Sequence, residues 1–159
     1  MDHSKEQLVS FLTTAQAHMT FIEAVEDFPL DRINDFPTNV EYTSWMLLEH
    51  IRRTQKDILD FMIDPNYKEP KWPDDYWPKK EEKADEKIWN ETISGFKSNL
   101  EKIVDLINDP ATDLTKKVEK GTGQTIMREI LLIIDHNSYH IGEFAVLRQI
   151  MGTWPKSHK

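Results

Sequence analysis

Apolar residues return at helical spacing in four long stretches of this chain. Between Ser4 and Val25, the positions Leu8, Phe11, Leu12, Ala15, Met19, Ile22 and Val25 recur every three or four residues, which predicts a helix with one apolar face. Ser4 and Gln7, three residues apart, fit a capping box at its start. A second helix is predicted from Val40 to Met62, with Leu47, Leu48, Ile51, Gln55, Ile58, Leu59 and Met62 in one stripe. A third, Glu81 to Ile107, turns Ile88, Trp89, Thr92, Ile93, Phe96, Leu100, Ile103, Val104 and Ile107 inward, and Asn108-Asp109-Pro110 ends it. The fourth, Thr125 to Met151, is apolar on nearly every side and carries a C-cap signal at Gly152. Such a helix belongs at the centre of the fold.

The intervening segments carry turn chemistry. Asp27 to Pro37 contains Pro29 and Pro37 and reads as a loop. Ile63 to Lys80 sets Pro65, Pro70, Pro73 and Pro78 among Tyr67, Trp72, Tyr76 and Trp77. Ala111 to Gln124, with Gly121 and Gly123, reads as a loop or short hairpin. Four helices around one core predict an all-α four-helix bundle. The 159 residues fit a single domain spanning 1–159, without internal repeats.

Composition removes several function classes. Acidic residues outnumber basic ones 28 to 20, a formal net charge of −8, and the basic residues lie in scattered pairs. Phosphate contacts need a cationic face, so neither nucleic acid nor an anionic membrane surface is an expected partner. The chain has no cysteine, which excludes disulfides, thiolate ligands and cysteine nucleophiles. Met1 to Glu6 holds no apolar signal core, and no run reaches the roughly 18 apolar residues of a membrane span. The expected location is cytoplasmic.

The candidate chemistry lies in Ile134-Asp135-His136-Asn137-Ser138-Tyr139-His140-Ile141-Gly142. Residues i and i+4 share a helix face, so the rings of His136 and His140 can reach one metal ion. No Glu follows the first His, so this is not the zinc-protease motif. The same spacing also fits a surface pair or a satisfied core pair. A third ligand could come from His3, His18, His50 or His158; His3 and His158 are terminal, and His18 is surface or site. His50, mid-way along the second helix in Trp45-Met46-Leu47-Leu48-Glu49-His50-Ile51, is the strongest candidate or else merely edges the core. Glu143 shares the His136/His140 face and could orient a ligand, bind metal or act as base. Glu129, two turns before His136, reads as a solvated carboxylate, while Asp135 and Asn137 point elsewhere and could lock the helix to its neighbours. Trp72, Tyr76 and Trp77 could roof a metal pocket or staple a long connection onto the bundle.

The segments Trp45–Ile51 and Asp135-His136-Asn137-x-x-His140-Ile141-Gly142 together resemble the DinB-like superfamily, which includes the YfiT-like proteins, over nearly the whole chain. Trp72-Pro73-Asp74-Asp75-Tyr76-Trp77-Pro78 is similar to a feature of one DinB-like subfamily. The resemblance implies an up-down-down-up four-helix bundle, a homodimer, and a divalent metal held by His50, His136 and His140 with an open position. Zinc or nickel is the metal it implies, with iron and manganese as further candidates for imidazole donors. It also implies a metal-dependent enzyme, either a thiol S-transferase using a low-molecular-weight thiol or a hydrolase acting on a small molecule. The other reading is a noncatalytic metal-binding stress-response bundle. DNA binding is suggested only by the family's DNA-damage-inducible name, and the charge opposes it.

Overall fold

The computed structural model describes residues 3–154, and its regular structure is helical. The helices are α1 (His3–Thr13), α2 (Phe21–Val25), α3 (Ser44–Ile63), α4 (Glu86–Asn108) and α5 (Ile126–Met151), with a 3-10 turn at Leu30–Arg32. The fold is therefore all-α, as the periodicity predicts. Among the described residues, no helix is long and apolar enough to cross a membrane.

Most of the helix ends follow local chemistry. Thr43, Asp85 and Thr125 cap α3, α4 and α5 by accepting from the backbone N–H three residues on. Gly152 closes α5 in the left-handed conformation at φ 66°, where a side chain would be strained. One isolated antiparallel bridge, from Lys117 in the 111–124 segment to the cap residue Thr125, is in keeping with a loop or short hairpin.

The first predicted helix, Ser4 to Val25, is a correction: it divides into α1 and α2. The hydroxyls of Thr13 and Thr14 donate back to the carbonyls of Val9 and Ser10, each at 2.8 Å. The Gln16 amide donates to Ser10 O at 3.2 Å and to Thr14 Oγ1 at 2.7 Å. These bonds compete with propagation of the helix. A new start follows at Thr20, whose backbone N–H donates to Glu23 at 2.7 Å while its hydroxyl accepts from Glu23 N. The capping box thus belongs to Thr20 and Glu23, and Ser4 lies inside α1, which begins at His3.

α3 packs on both α4 and α5, while α1 lies against α4 and α5, and α2 against α5. Two apolar clusters result. One joins Trp45, Leu47, Leu48 and Ile51 of α3 to Trp89 and Phe96 of α4 and to Ile141, Phe144 and Leu147 of α5. The other joins Leu8, Ile58, Leu59, Ile103, Ile107, Ile126, Ile130 and Ile133. Between them each long helix contributes a buried polar residue: Gln55 on α3, Asn99 on α4 and Asn137 on α5. Arg148, fully buried near the end of α5, donates to the carbonyls of Ala24, Glu26 and Thr153 at 2.6–3.0 Å and thereby holds α2 in place.

Candidate metal centre

His50 projects from α3 towards α5, which presents His136 and His140 from successive turns. Ligand atoms of the three rings all lie within 4.8 Å of one another. His50 Nε2 is 3.3 Å from His140 Nε2 and 3.3 Å from His136 Nε2. The structure brings together the three histidines that the resemblance implies. His18 lies outside the cluster: its Nδ1 meets Met19 O at 2.7 Å and its Nε2 meets Ser138 Oγ at 3.0 Å, which ties the segment before α2 to α5. His3 is exposed and pairs with Glu6, and His158 falls outside the described residues.

Rotation of α3 about its axis is fixed by Glu49, the neighbour of His50. The buried Glu49 carboxylate accepts from Arg52 Nε at 2.7 Å, Arg52 Nη2 at 2.6 Å and Arg53 Nε at 2.8 Å, and from the Thr92 hydroxyl of α4 at 3.3 Å. Burial raises the Glu49 pKa, but the arginine hydrogen bonds outweigh it and hold the carboxyl below its usual range. With Glu49 turned to α4, His50 faces the other way, to α5.

The segment 64–80 crosses the site as a strap. The hydroxyls of Tyr67 and Tyr76 donate to the two carboxylate oxygens of Asp57 at 2.8 and 2.7 Å and anchor it on α3. The Tyr76 carbonyl then meets His50 Nδ1 at 3.1 Å. Trp77 stacks on the His50 ring, centroids 3.9 Å apart and planes 7° from parallel. Trp72 is 66% exposed with its ring 6.5 Å from that of His50. Tyr67 and Tyr76 thus staple the connection onto α3, while Trp77 covers the His50 ring and Trp72 stays exposed.

Two of the three rings, His50 and His140, are held from the Nδ1 side. A carbonyl can only accept, so His50 carries its proton on Nδ1 and, when neutral, presents a lone pair at Nε2. His140 Nδ1 lies 2.6 Å from Glu143 Oε2, which makes the same assignment. Tyr42 donates to the other Glu143 oxygen. Burial raises the Glu143 pKa, yet the hydrogen bonds of His140 and Tyr42 outweigh it and keep the carboxyl ionised. Desolvation, opposed by the Tyr76 carbonyl, takes His50 down to about 4. Desolvation and the two neighbouring imidazoles take His136 to about 3. Both rings are therefore neutral near pH 7.

The consequence is chemical. His50 Nε2 and His140 Nε2 converge across 3.3 Å, and His50, neutral with its proton on Nδ1, turns a lone pair into the space between the rings. The three rings thus converge on one point from two helices, with ligand atoms within 4.8 Å of one another. The donor set, three imidazoles, suits a divalent transition metal. His136 Nδ1 is buried with no hydrogen-bond partner among the described residues.

Two of these contacts were outside the reach of sequence reasoning: the Tyr42 hydroxyl and the Tyr76 carbonyl. The only sequence signal for either is an aromatic residue beside a helix cap or a proline. Glu129, expected to be solvated, is a correction. It is 2% exposed and paired with Arg128 at 2.8 Å, because it falls on the buried side of α5 with Ile126, Ile130 and Ile133, away from exposed Arg128, Leu131 and Asp135. Comparison of the chain with protein-family models, curated proteins and solved structures finds no match.

Proposed function

We propose that His50, His136 and His140 hold one divalent metal ion, zinc or nickel, in a DinB-like up-down-down-up bundle, and that the chain is a metal-dependent enzyme. The observation that carries the metal reading is the convergence of three imidazoles from two helices, their ligand atoms all within 4.8 Å of one another. The bundle reading draws support from the order of the core residues. Along α3 and α4 rising residue numbers lead from the first apolar cluster to the second, and along α5 they lead back. Lys5 of α1 donates to Asp109 O beyond the end of α4, which sets α1 against the direction of α4.

A divalent ion held by three neutral imidazoles supplies Lewis acidity. The protein's own groups hold the donors in place. Glu143 has one oxygen on His140 and the other on Tyr42, so it acts as a positioning residue for His140 and not as a base. The Tyr76 carbonyl and Trp77 do the same for His50. With no cysteine in the chain, thiol transfer needs a low-molecular-weight thiol as cosubstrate, and hydrolysis is the other reaction class. The apolar residues Leu131, Tyr139, Val146 and Ile150 of α5, each at least half exposed, support a homodimer as the working assembly.

The noncatalytic reading has one observation in its favour: the triad joins α3 to α5, so a metal there clips two helices whether or not it turns over substrate. Elemental mass spectrometry of the untagged chain decides the metal question. About one equivalent of zinc or nickel per chain, lost in His136→Ala, is the expected result. No metal in the isolated protein and none after reconstitution sinks the reading. Consumption of a thiol with an electrophile, dependent on His50, separates the enzyme from the clip. Glu143→Gln is expected to weaken zinc about 10–100-fold, measured by competition with a chromogenic chelator. An unchanged affinity would remove Glu143 from the support of His140.

A further inference from the structure

A cavity of about 560 Å³ lies between the start of α3 and the strap. That volume falls within the roughly 300–1,000 Å³ of small-molecule sites. Its walls are mainly apolar, formed by Tyr42, Met46, Pro73, Trp77 and Pro78. None of the three histidines lines it. It is a second site beside the metal centre.

Charge at the rim narrows the occupant. Lys80 is paired with Glu41, and Asp74 with Lys71. Lys79 is exposed and has no ion-pair partner among the described residues. One uncommitted cation at the mouth of an apolar cleft fits a small molecule with an apolar body and an anionic end.

Two wall residues also support the metal centre. Trp77 stacks on His50, and Tyr42 bonds to the carboxylate that holds His140. Their rings stand 5.5 Å apart and share one wall. A molecule seated in the cavity presses on the supports of two of the three histidines at once.

We propose that this cavity binds an organic anion with an aromatic or aliphatic body, and that the metal centre senses its occupancy through Trp77 and Tyr42. The coupling rests on the metal reading above; the cavity itself does not. Linkage is reciprocal, so metal changes the affinity for the anion by the same factor that the anion changes the affinity for metal.

Anilinonaphthalene sulfonate, an aromatic anion whose fluorescence rises on burial, is the probe, titrated into the full chain with and without zinc, with zinc uptake measured in parallel. Lys79→Glu, an exposed charge reversal that leaves the core untouched, is expected to weaken the probe about five-fold. Zinc is expected to shift the probe affinity by about five-fold or more, with the probe shifting zinc affinity equally. Tyr42→Phe is expected to reduce that shift, since it removes the bond to the carboxylate that holds His140. Probe affinity indifferent to Lys79→Glu, or no binding, overturns the site. Equal probe affinity in zinc-loaded and zinc-free protein overturns the coupling. A chain that takes up no zinc overturns the metal reading, while Lys79-dependent binding in that same chain still supports the cavity.

Discussion

Zinc-loaded protein is expected to unfold about 5–10 °C above the metal-free chain, and His50→Ala to abolish that difference. Ligand that binds only the folded state stabilises by about 2.7 kcal/mol at a hundred-fold excess over Kd, and for a chain of this size each kcal/mol moves Tm by roughly 2–4 °C. His50 is the decisive position because it is the one member of the triad on α3; His136 and His140 both come from α5. Without it, two imidazoles on one helix remain, and no donor crosses to the neighbour. The substitution also removes a ring stacked under Trp77 and leaves the Tyr76 carbonyl without its donor, so the metal-free variant loses stability by itself. The informative quantity is therefore the difference between loaded and stripped protein within each variant, measured by differential scanning calorimetry. An equal zinc-dependent shift in wild type and His50→Ala would place the metal elsewhere.

The part of this centre that could be read in advance is the part made by one helix. His136 and His140 share a face by the geometry of any helix, and the Thr125 and Gly152 ends of α5 follow from a hydroxyl cap and a left-handed glycine. His50 is different in kind. Its place in the triad depends on how α3 packs against α5, 86 and 90 residues away in sequence, which no spacing along one helix encodes. The Tyr42 hydroxyl reaches Glu143 across 101 residues, and the other support is a main-chain carbonyl, which leaves no trace in residue identity. The split of the first helix escaped for another reason. Apolar periodicity runs on through Ala15 and Met19, while the bonds that stop α1 come from Thr13, Thr14 and Gln16, whose helix-breaking effect depends on rotamer and not on spacing.

Arg148→Met is expected to lower stability by about 3–5 kcal/mol, the range for removing one member of a buried charged network. In sequence Arg148 is a cation in the last turn of a helix, where an exposed partner of the helix dipole is the ordinary reading. In the fold it has no exposed surface, and its guanidinium serves only carbonyls: Ala24 at 2.8 Å, Glu26 at 2.6 Å, Asp27 at 3.4 Å and Thr153 at 2.6 Å. The Phe28 ring lies 5.1 Å from it, within cation–π range. Methionine fills the volume but donates nothing, so the carbonyls at the end of α2 and beyond α5 lose their partner together. Arg148→Lys should recover only part of the loss, since an ammonium offers three donors from one point where the planar guanidinium reaches carbonyls on two sides. Urea unfolding tests this through the midpoint at constant m-value, and hydrogen exchange locates it. Faster exchange confined to residues 21–28 is expected, because Arg148 is what joins α2 to α5 there. A loss below about 1 kcal/mol would mean that water replaces the guanidinium at these carbonyls almost without penalty, and that α2 is held by the packing of Phe21, Ala24 and Val25 alone.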